Sequence, residues 1–236
     1  MRSLLYIPMI HADADLGSMA PSLNRRSLEI CGRERWLRHK EIVAQFWERI
    51  RDYFKGMDPA GLKIYQDGLM ADGEFGRRII EEGARRGSPN HQIVLDLITR
   101  GAMLRKTEDV ELLKREFDRI LQLAGTGSEP EEGLVASYRN EGARLMAERD
   151  RFIARTINQT LKEGETGVLF IGAFHNVIAE LEDDIKVSEL KRLDTVKAYF
   201  ETVLAGGDDD AFERLALYMV SDSPKSEVLR PVGSKQ

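Results

Sequence analysis

Two short stretches, Leu4-Leu5-Tyr6-Ile7 and Val168-Leu169-Phe170-Ile171, are apolar at every position. A half-exposed strand alternates apolar and polar residues, so an unbroken run of this length predicts a strand covered on both faces, as in a parallel sheet flanked by helices. Parallel neighbours need long crossovers, and helical patterns fill the sequence between the two runs. From Trp36 to Phe54 apolar residues recur as Trp36, Val43, Trp47, Ile50 and Phe54, a helical stripe that ends at Gly56. Leu62-Lys63-Ile64-Tyr65-Gln66-Asp67 reads as a half-covered strand nearer the sheet edge, closed by Gly68.

Helices are expected over 74–86, 89–103 and 108–124, with Ser88-Pro89 supplying a cap and a proline in the first turn. Gly125-Thr126-Gly127-Ser128 breaks the chain before a long helix over 130–162. A third short strand is expected at Ile185-Lys186-Val187, then helices over 194–204 and 209–219. The fold class is therefore α/β, a layered and partly parallel sheet with helices packed on it and a helical middle section. Residues 1–220 form one domain on this reading, and 221–236 a polar, weakly periodic tail.

Charge narrows the functional classes. The 35 Lys and Arg are interleaved with 40 Asp and Glu, for a net charge of −5, so no basic block is available to track phosphates and nucleic acid is not an expected partner. Cys31 stands alone, which excludes an internal disulfide, a CxxC redox pair and a cysteine-built zinc cage, and makes the cytoplasm the expected compartment. Arg2, the apolar run to Ile10 and Ala12-Asp13-Ala14 imitate a secretory signal, but Pro8 interrupts the run and the unit is too short. No apolar stretch approaches the roughly 18 residues of a membrane span, so no membrane partner is expected.

One internal echo points to a site. Leu4 through Ile7, then Pro8-Met9-Ile10-His11, matches Val168 through Ile171, then Gly172-Ala173-Phe174-His175, in character at each position. Ligands of open α/β sheets sit outside the carboxyl ends of the strands, so two such strands could deliver both imidazoles to one crevice. The bland alternative is that each histidine caps its strand by bonding a loop carbonyl. Asp67 also ends an expected strand, where it is either a third site residue or a turn former before Gly68. Arg149 falls within the apolar stripe of the long helix, between Leu145 and Ile153. If buried it demands an anion, and otherwise its head snorkels to water.

Other candidates are weaker. His91 is expected to be solvated in the first turn of its helix, and His39 to pack. Gly125 through Ser128 follows a helix and lacks the lysine of a nucleotide loop. Asp208-Asp209-Asp210 reads as helix capping, and no GxSxG, HExxH or catalytic cysteine motif occurs.

The stretch Glu148-Arg149-Asp150, followed by Gly164 through His175, resembles the closing motifs of the Tiki/TraB superfamily, which also gathers erythromycin-esterase-like and ChaN-like proteins. Its hallmark is a pair of GxxH strand ends. Gly172-Ala173-Phe174-His175 fits, Arg149 matches the family's arginine, and Asp67 stands where many members carry a strand-end acid. Pro8-Met9-Ile10-His11 keeps the histidine but has proline in place of glycine. The resemblance covers about the first and last thirds of the fold. It implies a sheet with a site at the strand ends, used variously for metal-dependent hydrolysis, metal-free ester hydrolysis, haem binding and regulation.

The leading expectation is a hydrolase of a small-molecule or peptide substrate built on His11, Asp67, Arg149 and His175. His11, Asp67 and His175 could hold zinc, manganese or iron and activate water, with Arg149 steadying an oxyanion. Without metal, one histidine would act as general base. The rival is a non-catalytic binding protein for an anionic small molecule or haem, or a regulatory partner. Amphipathic helices permit a homodimer without establishing one.

Overall fold

A computed structural model describes residues 1–15, 20–125, 132–206 and 208–223. Among these, five strands form one wholly parallel sheet: β1 (Arg2–Met9), β2 (Lys63–Gln66), β3 (Met103–Arg105), β4 (Thr166–Gly172) and β5 (Ile185–Glu189), in the order β3-β2-β4-β1-β5. The two fully apolar runs are β1 and β4. They lie side by side in the interior of the sheet, with Leu5 to Ile7 and Val168 to Ile171 inaccessible to solvent.

Among the described residues eight α-helices surround the sheet: α1 (Ala20–Cys31), α2 (Arg33–Phe54), α3 (Gly73–Arg85), α4 (Pro89–Thr99), α5 (Val110–Gly125), α6 (Glu132–Thr160), α7 (Leu193–Ala205) and α8 (Asp209–Val220). Because side chains alternate along a strand, β1 and β4 feed two separate cores. Leu5, Ile7, Val168 and Phe170 pack against α2, α4, α7 and α8. Leu4, Tyr6, Leu169 and Ile171 face Ile153, Ala154, Ile157 and Leu161 of α6 and its end. The chain leaves the carboxyl end of β1 towards α2 on one face and that of β4 towards Val177 and Ile178 on the other, so the carboxyl ends of these neighbours open a crevice.

The expected helix 89–103 stops early. Gly101, with φ of 108°, turns the chain out of α4, and Met103–Arg105 pairs with Lys63–Tyr65 as an edge strand. That places β2 one position in from the edge. Helix α1 was not anticipated. Pro8 is tolerated inside the sheet for a geometric reason: even-numbered β1 nitrogens face β5, as Arg2 N–H does in donating to Asp184, and pairing with β5 ends at Tyr6. The missing N–H of Pro8 therefore costs no ladder bond. Residues 126–128 of the expected break and 224–236 of the expected tail lie outside the described residues. No helix among the described residues is long and apolar enough to cross a membrane.

Candidate functional site at the strand ends

The register of β1 and β4 places Met9 opposite Gly172, one residue out of step with the sequence echo. Both histidines nonetheless reach one place. A Cβ built on Gly172 would lie 3.5 Å from His11 Nε2, 3.5 Å from His175 Cδ2 and 3.2 Å from Asp67 Oδ2. His11 Nε2 and the His175 ring are therefore within about 7 Å of each other, with Asp67 beside both. A methyl at 172 would crowd Asp67 Oδ2 and touch both rings, in the space the three groups share.

Each group is held by a different element. The loop carrying His11 is pinned at its base by Trp47 of α2, whose indole N–H donates to the Ile10 carbonyl at 3.2 Å, while His11 itself is exposed. Asp67 follows β2 and is no mere turn former. Its Oδ2 accepts from the Gly172 N–H at 3.0 Å and its Oδ1 from Arg149 Nη2 at 2.9 Å. Burial alone would raise the Asp67 carboxyl, but the charges of His175, Arg149 and His11 and the Gly172 N–H outweigh it and hold it at about 2.

His175 follows β4 and is only 3% exposed, yet it lines the cleft. Its Nδ1–H donates to Asp150 Oδ1 at 2.5 Å, and its Nε2 stands 3.7 Å from Asp67 Oδ2. Asp150 is fixed in turn by the Asn176 N–H at 2.9 Å. Burial pulls the imidazole pKa down, but Asp150 and Asp67 override it and raise it above the usual value, so this ring stays protonated to higher pH than a free histidine.

Arg149 is buried, as its position in the apolar stripe allowed. Its partner is one the sequence reading missed: Glu108, wholly buried, takes Arg149 Nη2 at 2.5 Å and Nε at 3.3 Å. Burial pushes Glu108 up to about 7 against the pull of Arg149. With Glu108 on one side and Asp67 on the other, the guanidinium charge is already matched. Arg149 therefore orients Asp67 and is not a free anion receptor.

His91 departs from expectation. It is half-buried, lies 2.8 Å from Ser88 Oγ and 4.0 Å from Asp15 Oδ1, and lines the same cleft as His11 and His175. Burial lowers its pKa. His39 packs as expected, bonded to Tyr199 Oη at 3.0 Å, with burial pressing its pKa down to about 4. Asp208 caps α8 by accepting from the Ala211 N–H at 2.8 Å.

The cleft above these groups measures about 1250 Å³. Its polar end holds His11, Asp67, Arg149 and His175, and Ile30, Trp36, Phe200 and Leu204 contribute an apolar wall. The zinc, manganese or iron expected on His11, Asp67 and His175 does not fit the donor set. Against the effect of burial, the charges of Asp150 and Asp67 raise the His175 pKa, so a proton competes with a metal for its Nε2. Among the described residues, no group of three or more His, Cys, Asp or Glu is arranged to hold a metal ion.

No family model and no solved structure matches the chain. Over 156 aligned residues it is 30% identical to glutathione synthetase of Pseudomonas putida, a stretch covering 61% of this chain and 47% of that protein. The chain thus spans about half the length of the curated relative it matches.

Proposed function

We propose that the chain is a metal-independent hydrolase of a small molecule or short peptide. The observation that carries this reading is the convergence of His11 Nε2, Asp67 Oδ2 and the His175 ring on the space beside Gly172, in the wall of a roomy cleft. His11, open to solvent, takes the proton of an attacking water as general base. His175, kept cationic by Asp150 and Asp67, donates from Nε2 to the oxyanion or leaving group. Asp67, locked by Arg149 and the Gly172 N–H, orients both rings.

Gly172-Ala173-Phe174-His175, Arg149 and Asp67 support membership of the Tiki/TraB superfamily as part of the same proposal. A lone cysteine fits a reducing compartment such as the cytoplasm.

The untagged chain, assayed against 4-nitrophenyl butyrate and a panel of esters, amides and dipeptides, is expected to turn over at least one class. His11→Ala and His175→Ala are each expected to lower kcat by about 100-fold or more, the scale of lost acid-base catalysis. Absence of turnover across the panel, or variants as active as the parent, overturns the reading.

The apolar wall of Ile30, Trp36, Phe200 and Leu204 favours a second reading, capture of an amphipathic ligand without turnover. Haem is one such ligand, and its binding would give a Soret band altered by His11→Ala or His175→Ala. A flat titration removes it.

A further inference from the structure

Single apolar side chains on a protein surface need no explanation, but an apolar stripe along one side of a helix marks a contact face. Helix α5 carries such a stripe. Val110, Leu113, Phe117 and Leu121 recur at helical spacing. Val110 and Leu121 are each 47% exposed and Phe117 48%, while Leu113 is partly buried and also lines the cleft. The other side of α5 is taken by α6. There Arg115 Nη1 donates to Glu148 Oε2 at 3.0 Å, and Arg119 lies against Gly142, where a Cβ would come within 3.0 Å of its guanidinium carbon.

The charges on α5 distinguish the occupants such a stripe could take. Along its 16 residues the helix holds three acids and three bases, so it has no net charge to draw it to an anionic membrane surface. Arg115 pairs with Glu148 and Arg119 with Glu116. Lys114 and Asp118 flank the stripe, both are exposed, and neither makes an ion pair among the described residues. Glu111 sits farther along the same flank. A base and an acid four residues apart are complementary to their own antiparallel copy. In a twofold contact the same flank of each helix faces the other. Lys114 of one copy then lies opposite Asp118 of the second, and Asp118 opposite Lys114, in the register that sets Val110 against Leu121 and Leu113 against Phe117.

We propose that α5 is a homodimer interface, in which Val110, Leu113, Phe117 and Leu121 pack antiparallel against the same stripe of a second copy and Lys114 and Asp118 form two symmetric ion pairs across the twofold axis. A helix of this length spans about 24 Å. Pairing it alone buries less than the roughly 1,200 Å² at which stable interfaces begin, so the dimer is weak and concentration-dependent. Because Leu113 belongs to both the stripe and the cleft, the second copy borders the cleft. The inference is independent of the hydrolase reading, since it uses none of the residues of that site.

Sedimentation velocity of the untagged chain from about 1 to 200 μM tests it, with the mass expected to rise from one chain towards two across that range. Phe117→Asp should weaken association by about tenfold or more by placing a charge in the apolar contact. Lys114→Asp and Asp118→Lys should each weaken it on the same scale, because each sets like charges opposite one another. Mixed in equal amounts, these two charge variants should associate again, and the double variant carrying both changes should self-associate as the parent does. All of these positions are exposed, so circular dichroism should stay parental; should Phe117→Asp unfold, the charge variants and their mixture still decide. A parent that is monomeric at every concentration, a dimer indifferent to these substitutions, or charge variants that do not associate when mixed overturns the inference. A monomer that sediments instead with vesicles of phosphatidylcholine and phosphatidylserine overturns it in favour of a lipid surface.

Discussion

The Asp150 carboxylate lies 2.5 Å from Nδ1 of His175, with both side chains more than nine-tenths buried. This contact fixes the orientation of the ring and turns Nε2 towards Asp67 and the cleft. Asp150→Asn removes the charge that opposes desolvation, so the His175 pKa should fall from above the ordinary imidazole value to below it. NMR titration of the ring carbons checks this, and an unchanged midpoint would mean that Asp150 does not set the protonation of His175. A stability loss of about 1–3 kcal/mol, the cost of breaking a buried charge-assisted bond, should accompany the shift.

Arg149 should be the most costly single residue of the site to truncate. Arg149→Ala leaves Glu108 and Asp67 as buried, uncompensated carboxylates, and a loss of about 3–5 kcal/mol is expected in urea unfolding. The pair Arg149→Met with Glu108→Gln should recover part of it, because Glu108 is then no longer left charged, while Asp67 keeps the Gly172 N–H and the neighbouring His175. Equal losses in single and double variants would show that packing, and not charge, is what Arg149 supplies.

The pH dependence of folding follows from three groups. Asp67 is held at about 2, below its unfolded value near 3.9, so its contribution of about 2 kcal/mol is present above pH 4 and lost as pH falls towards 2. Glu108, pushed up to about 7, and His175, also raised, act in the opposite sense. Their stabilisation is present below their unfolded pKa values and is lost as pH rises through the folded ones. Stability should therefore peak between about pH 4 and 6 and decline through neutrality. Glu108→Gln should flatten that decline in urea midpoints measured from pH 5 to 8, and a parent that gains stability across this range would refute the assignment.

Two glycines separate fold from site. A Cβ at Gly167 would fall 2.9 Å from Leu4 Cδ1 and 3.0 Å from Tyr65 Cε2, inside the core. Gly167→Ala should cost about 1–3 kcal/mol in thermal unfolding through overpacking. At Gly172 the same methyl enters the space between His11, Asp67 and His175, so Gly172→Ala should abolish turnover or binding while circular dichroism stays native-like. Full activity in Gly172→Ala would place the ligand elsewhere.

What the sequence could and could not disclose follows from the physics of each element. β1 and β4 were legible because burial on both faces leaves no polar position, and the echo they carry survived a register offset of one residue. β3 was not, because three residues, Met103 to Arg105, are too few to show a period. Helix α1 escaped because half of its residues are polar and none of its described side chains is buried, so no apolar stripe stands out. His11, Asp67 and His175, which the structure brings together, were legible as residues at strand ends, and Arg149 as a guanidinium in an apolar stripe. Glu108 and Asp150 were passed over because a buried carboxylate on or beside a helix has the same local spelling as a solvated one. The clue available was arithmetic: a buried arginine and a buried imidazole each require an acid, and Asp150 stands next to Arg149 in sequence.

The central claim is that His11 and His175 act on one substrate as a unit. Steady-state kinetics of the parent, His11→Gln, His175→Gln and the double variant on a turned-over ester tests it most directly. The account predicts that each single variant loses most of the rate and that the double variant is about as slow as the slower single one, as groups acting together behave. Losses that multiply, or a single variant at parental rate, would contradict it.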